Sequence, residues 1–196
     1  MRFILASASP RRADLLRSAG YLFEQRPVVV DERVLAGESA TVYVQRLSSE
    51  KSRRGWSEAA GVDALVLSAD TAVVLDAHIL GKPRDEEDAA RMLRQLSGRT
   101  HQVVTGVSIR YGQEHLSAVE TTSVWFAELA DDEIAWYVGT GEGQDKAGGY
   151  AVQGLASRFI PKIEGSYSNV VGLPVACVHE LLKRRRGAFG GFSSVF

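Results

Sequence analysis

The chain is 196 residues long, 45% hydrophobic and 24% charged, with a formal net charge of −1 at pH 7. That much apolar sequence suffices for the core of one domain spanning 1–196, while so small a net charge excludes a general attraction to nucleic acid polymers or a membrane surface and leaves local clusters to bind a small anion. The one cysteine, Cys177, excludes an internal disulfide framework and a multi-cysteine zinc site; inside the apolar run 173–178 it reads as a small core residue.

Strand and helix signals alternate as they do in α/β domains. An apolar strand at 3–6 leads into Ser7-Ala8-Ser9-Pro10-Arg11-Arg12 and an amphipathic helix through 13–19. Ser9 is a preferred N-cap, Pro10 fits the first helical position and Gly20 is a stop. Residues 21–30 read as extended, and a helix capped by Ser39 covers 39–54. The most apolar extended segment is 64–75, followed by a turn at Asp76-Ala77. A helix over 85–96 has Asp85 as cap, acidic residues in its first turn, an inward stripe of Ala89, Met92, Leu93 and Leu96, and Gly98 as stop. Residues 100–110 and 115–127 pair through a turn at 111–114, a short helix covers 131–138, a glycine-rich loop follows at 141–154, and a helix closes the chain at 175–185. Lys183-Arg184-Arg185-Arg186 reads as a solvated helix end, and the tail after about 187 as frayed. No apolar run is long enough for a membrane span, the first residues lack the marks of a secretory leader, and the four histidines show no i,i+4 ligand spacing.

Several residues break local rules, which is where function concentrates. Arg11 and Arg12 lie in the first turn of a helix, where unpaired N–H groups and the dipole favour an anion and disfavour a cation; the alternative is a pair of solvated arginines. Asp70 sits in the apolar run Ala69-Asp70-Thr71-Ala72, so it has to be neutralised, paired or metal-bound, or else accept backbone hydrogen bonds at a bend. Lys51 follows Val44 and Leu47 on an inward helical stripe, as a functional cation or as one that snorkels past the core edge. Lys82 precedes Pro83, which favours an extended conformation that aims the cation; a plain surface lysine is the alternative. The loop 141–154 combines five glycines with Asp145, Lys146 and Gln153, but matches neither a P-loop nor a dinucleotide fingerprint; it is a close-approach ligand loop or merely a flexible one. Glu32, in a loop, is a second metal ligand or a solvated carboxylate. Together these residues supply cations for phosphates and carboxylates for a divalent ion, with no covalent nucleophile. That combination suits metal-assisted attack on a triphosphate, with Mg2+ as the expected ion.

Leu5-Ala6-Ser7-Ala8-Ser9-Pro10-Arg11-Arg12, Ala69-Asp70-Thr71, Gly81-Lys82-Pro83-Arg84, Leu96-Ser97-Gly98-Arg99-Thr100-His101, Asp145-Lys146-Ala147-Gly148 and Gly165-Ser166-Tyr167-Ser168-Asn169-Val170-Val171-Gly172-Leu173-Pro174 resemble the successive motifs of the Maf (septum formation) family, in the family's order. Ser68 and Gly149 depart from its pattern without touching the chemistry. The resemblance implies an elongated α/β fold, with a mixed sheet, flanking helices and two lobes around a deep cleft, similar to inosine triphosphate pyrophosphatases. It also implies a cytoplasmic enzyme that splits a nucleoside triphosphate into monophosphate and pyrophosphate with a divalent cation, Mg2+ first and Mn2+ as an alternative, and a homodimer, since family members are often described as dimers.

By the same resemblance, Asp70 is the proton acceptor for the attacking water or holds the metal that activates it, and Glu32 assists at the metal. Ser7, Arg12, Lys51 and Lys82 bind or polarise phosphate. Arg11, Thr71 and Gln153 resemble the branch that acts on dTTP and UTP, whereas the 7-methyl-GTP branch tends to carry Trp, Gln and Glu there. A glutamine offers both donor and acceptor to a uracil or thymine edge, which agrees with that branch in direction. The other reading, a nucleotide-binding regulator of septum formation with little turnover, is opposed by the presence of Asp70, Lys82 and Glu32 together.

Overall fold

The computed structural model describes residues 1–59 and 63–189. In chain order these form β1 (Arg2–Leu5), α1 (Pro10–Ser18), β2 (Glu24–Gln25), α2 (Ala40–Glu58), β3 (Ala64–Leu75), β4 (His78–Leu80), α3 (Glu86–Leu96), β5 (Thr100–Tyr111), β6 (Glu114–Trp125), α4 (Asp131–Gly139), β7 (Lys162–Glu164), α5 (Tyr167–Val171) and α6 (Val175–Phe189). The sheet is mixed, in the order β2-β1-β3-β5-β6-β7, with β4 paired to β3. β1 runs parallel to both β2 and β3, while the β3–β4 and β6–β7 pairs are antiparallel. The α/β expectation therefore holds.

The helix boundaries follow the capping chemistry. Ser9 Oγ accepts from the Arg12 N–H with Pro10 at the first helical position, Ser39 caps α2 through the Val42 N–H, and Asp85 caps α3 through the Asp88 N–H at 2.8 Å. Gly20 and Gly98 adopt the positive φ that ends α1 and follows α3. The extended segment expected at 21–30 shrinks to Glu24–Gln25, and on its C-terminal side Pro27 lacks the N–H that a continuing ladder needs. Three short elements, β4, β7 and α5, carry too few residues to show a period.

The chain forms two compact units. Of the described residues, the first comprises 1–59, 63–70, 105–120 and 172–189, and the second comprises 71–104 and 121–171, so that β3, β5 and β6 each contribute residues to both. In the first unit, Leu5, Leu16, Leu65, Leu67, Val107 and Leu181 form one buried cluster, with Cys177 half-buried at its margin. Arg185 corrects the solvated helix end expected at 183–186. It is buried, with its guanidinium 4.1 Å from the centroid of the Tyr111 ring and Nε 3.5 Å from Glu114, because an arginine can cover an aromatic face while its charge is met. Lys183 and Arg184 are exposed as expected, and the tail beyond 189 lies outside the described residues.

α2 packs unusually close to the strands of this unit. A Cβ on Gly106 would lie 2.3 Å from the Val44 carbonyl oxygen, and one on Gly55 would lie 3.0 Å from both Ala6 and Val66. Ser68 Oγ donates to the Ser48 carbonyl at 2.6 Å, and the Ser52 and Ser108 hydroxyls pair at 2.7 Å. Small residues on both surfaces make this approach possible, and buried hydroxyls find partners across it.

In the second unit, Leu93, Leu96, Phe126, Ile134, Tyr137 and Phe159 anchor the core. His101 is buried in it, with Nε2 2.7 Å from the Tyr150 hydroxyl, while Nδ1 has no hydrogen-bond partner. Burial pushes this imidazole down from 6.5 to about 4. Above pH 6.5 the ring is neutral whether the chain is folded or not. Between 6.5 and 4 the unfolded chain takes up a proton that the folded one refuses, so stability should fall on acidification by up to about 3 kcal/mol from this residue. Urea midpoints measured from pH 6.5 to 5, where most carboxylates stay ionised, should show that slope, and His101→Asn should reduce it, leaving the smaller contribution of His115, whose pKa burial also lowers.

Candidate active site

The first turn of α1 and the residues before it form one anchored group. Ser7, buried after β1, accepts from the Ser9 N–H at 3.2 Å and from Arg12 Nη1 at 3.4 Å, while its carbonyl accepts from Gln25 Nε2 at 3.0 Å. Arg12 Nε donates to the Gly172 carbonyl at 2.8 Å, so the end of α6's approach segment holds the guanidinium. Burial lowers the pKa of Arg12, and the negative charge of Asp70 opposes that shift; an arginine stays protonated regardless. Arg11 is half-buried beside it.

Lys51 is the centre of the site. The inward stripe of α2 carries it against β3, where Nζ donates at 2.6 Å to Asp70 Oδ1 and at 2.6 Å to Glu32 Oε1. The Lys51 and Asp70 side chains are each 9% exposed, and Glu32 is 49% exposed. A buried ammonium facing two carboxylates makes charge-assisted hydrogen bonds, the short and strong kind, and the trio carries a formal charge of minus one. Glu32 is placed from α2 as well. The Tyr43 hydroxyl donates to the Glu32 carbonyl at 3.0 Å, and Arg46 donates to the Arg33 carbonyl at 3.0 Å and to both oxygens of Glu38. Burial, then the charges of Asp70 and Glu32, push the Tyr43 phenol up to about 12. Tyr43 and Arg46 escaped the reading of the sequence. Tyr43 sits four residues before Leu47 and eight before Lys51, so the helical period places it on the same face.

Asp70 and Glu32 offer two hard carboxylates. Among the described residues no group of three or more His, Cys, Asp or Glu could hold a metal ion. This donor set fits an ion that keeps most of its shell as water and ligand oxygen, the habit of Mg2+, and does not fit a closed structural site.

Thr71, Lys82 and Gln153 belong to the second unit. Thr71 is half-buried on β3, while Lys82 and Gln153 are exposed. The segment with Lys82 is fixed by the glycine-rich loop, since the Gly148 N–H donates to the Gly81 carbonyl at 3.0 Å. Gly148 has φ +71°, and a Cβ there would lie 2.9 Å from a Val73 methyl, so both conformation and space call for glycine. Lys146 donates to Asp145 and to the Glu142 carbonyl, which turns it inward along its own loop.

The family model described as Maf-like protein matches residues 2–185, and the chain belongs to the Maf family. A relative from Anaeromyxobacter dehalogenans (strain 2CP-C), named dTTP/UTP pyrophosphatase, is 52% identical over 187 residues, 93% of each chain. One from Escherichia coli O157:H7 with the same name is 49% identical over 178 residues, 91% of this chain and 90% of its own. Among solved structures, a nucleoside-triphosphatase / dITP/XTP pyrophosphatase from Mycobacterium abscessus aligns over 96% of this chain and 97% of its own, at 15% identity and a TM-score of 0.45, too remote to place a side chain.

The ion trio has a thermodynamic signature. Lys51→Met strands the Asp70 carboxylate in a buried place and should cost about 3 kcal/mol. Adding Asp70→Asn removes the stranded charge, so the double variant should regain much of that loss. A double-mutant cycle read by urea unfolding checks this, and additive effects would mean that the two residues are not coupled.

Proposed function

We propose that this chain hydrolyses dTTP and UTP at the α-phosphorus, releasing the monophosphate and pyrophosphate. Family membership and relatives of about half identity named dTTP/UTP pyrophosphatase support the reaction class and the substrates. The observation that carries the chemistry is the buried Asp70, oriented at 2.6 Å by Lys51.

In this reading Asp70 accepts the proton of the attacking water. Its Oδ1 is held by Lys51, which fixes the carboxylate in place and leaves Oδ2 for the water. Arg12 and Ser7 hold phosphate oxygens at the start of α1, where the positive end of the helix dipole adds to the attraction. On the same reading Lys82 contributes another phosphate-binding cation. Glu32 and Asp70 would hold a divalent ion, Mg2+ by preference, and the ion supplies charge neutralisation on the phosphates and a more acidic water. Lys51 then has a dual duty as phosphate-side cation and as the group that orients both carboxylates. Arg11, Thr71 and Gln153 are assigned to the base, Gln153 because its amide offers a donor and an acceptor together.

Incubating UTP or dTTP with Mg2+ should yield UMP or dTMP and pyrophosphate in equal amounts by anion-exchange chromatography. Orthophosphate and a diphosphate as products would overturn the reading. Asp70→Asn should lower kcat by roughly 10² to 10⁴-fold, with a folded protein by circular dichroism.

Base choice has its own test. Gln153→Glu replaces a donor and an acceptor by acceptors alone, so kcat/KM for UTP and dTTP should fall by about tenfold or more, while inhibition by pyrophosphate, which has no base, should hardly change. Equal loss in both would place Gln153 in phosphate handling instead.

A further inference from the structure

The loop that carries Gln153 is tied at both ends to one carboxylate. Both oxygens of Glu142 accept from the Leu155 N–H, at 2.9 and 3.0 Å. Glu142 Oε2 also accepts from the Tyr137 hydroxyl at 2.8 Å, and that hydroxyl oxygen accepts from the Ala151 N–H at 3.1 Å. Ala151 and Leu155 stand two residues before and two residues after Gln153. Gly154 leaves the room that this requires, since a Cβ there would lie 2.1 Å from Glu142 Oε1 and 2.5 Å from its Cδ. Tyr137 is 1% exposed, and burial followed by the Glu142 hydrogen bond raises its pKa, so the phenol stays a donor. Gln153 itself is exposed.

A surface amide on a tight turn would sample many orientations, and recognition of a base edge needs one. We infer that Glu142, working with the Tyr137 hydroxyl, is a positioning residue for base selection: it fixes the backbone on both sides of Gln153 and so fixes the point and direction from which that side chain leaves the turn. The inference rests on the proposed reading of the base by Gln153. Glutamate is the required type, because a carboxylate accepts at both oxygens, whereas a glutamine would turn an N–H donor toward the Leu155 N–H or the Tyr137 hydroxyl.

Two measurements separate the clamp from the reading that it serves. In Glu142→Gln, amide hydrogen exchange in the peptide covering 150–156 should accelerate on the order of tenfold, with the rest of the chain unchanged, as expected when a charged acceptor is lost. UTP and CTP share their phosphates and differ only at one base edge, so the ratio of their kcat/KM values isolates base reading. That ratio should fall by about tenfold in Glu142→Gln and by a similar factor in Gln153→Ala, and Glu142→Gln added to Gln153→Ala should lower it no further. Tyr137→Phe, which keeps the ring and removes one link, should move both readouts the same way and carries the test if Glu142→Gln fails to fold. Unchanged exchange overturns the clamp. Faster exchange with an equal further fall in the Gln153→Ala background makes Glu142 a general scaffold and overturns the link to Gln153. A ratio unmoved by Gln153→Ala overturns base reading by that residue, and the positioning role with it, even where exchange shows the clamp intact.

Discussion

The site depends on how closely α2 lies against the sheet of the first unit. Val44 puts its carbonyl where the side chain of residue 106 would otherwise be, and Ser48, Ser52 and Gly55 face Ser68, Ser108, Ala6 and Val66 with little between them. Larger residues on either surface would push the helix outward, and interiors packed near crystal density do not absorb such a shift without cost. A lysine stem can then cross from helix to strand and place its ammonium on Asp70 at 2.6 Å. The helix also carries Tyr43 and Arg46, which hold the segment that contains Glu32. One packing decision therefore sets the positions of both carboxylates and of the cation between them.

Magnitudes separate this trio from the other ion pairs. Arg33–Asp31, Arg54–Glu58 and Lys162–Glu164 join exposed side chains, and such pairs contribute about 0–1 kcal/mol. Lys51 and Asp70 are buried, where removal of one partner costs about 3–5 kcal/mol while the intact pair adds little net stability. The proposed catalytic role of Asp70 accounts for an arrangement that is expensive to break and contributes little to folding. The Glu142 network in the second unit has the same character on a smaller scale, because it orders a turn that carries an exposed amide.

Residue patterns made some parts of this structure legible and left others hidden. β3 and α3 were readable because long apolar runs and explicit caps point the same way as tertiary packing. Lys51 and Asp70 announced themselves as charges at positions whose neighbours are apolar, and burial followed from that. Which partners they find was not readable, since Glu32 and Asp70 are separated from Lys51 by 19 residues each and a sequence period ends with its own helix. The roles of Tyr43 and Glu142 were hidden for the same reason: each acts through a backbone group brought near by the fold. Arg185 misled because a run of basic residues reads as solvated unless the aromatic ring that receives it is known. The short strands β4 and β7 lie below the length at which alternation means anything.

β3 puts Asp70 and Thr71 on consecutive residues, the last of one compact unit and the first of the other. Successive side chains of a strand face opposite sides, so inserting or deleting one residue upstream in β3 would turn the carboxylate away from Lys51 and reverse Thr71 with it. Length variation is thereby barred from this segment, whereas side-chain replacement at Thr71 leaves the register of Asp70 untouched. On the proposed roles of Asp70 and Thr71, a change of substrate at this place has to come by point substitution. The strand then holds the reacting carboxylate fixed while the next position remains free to evolve.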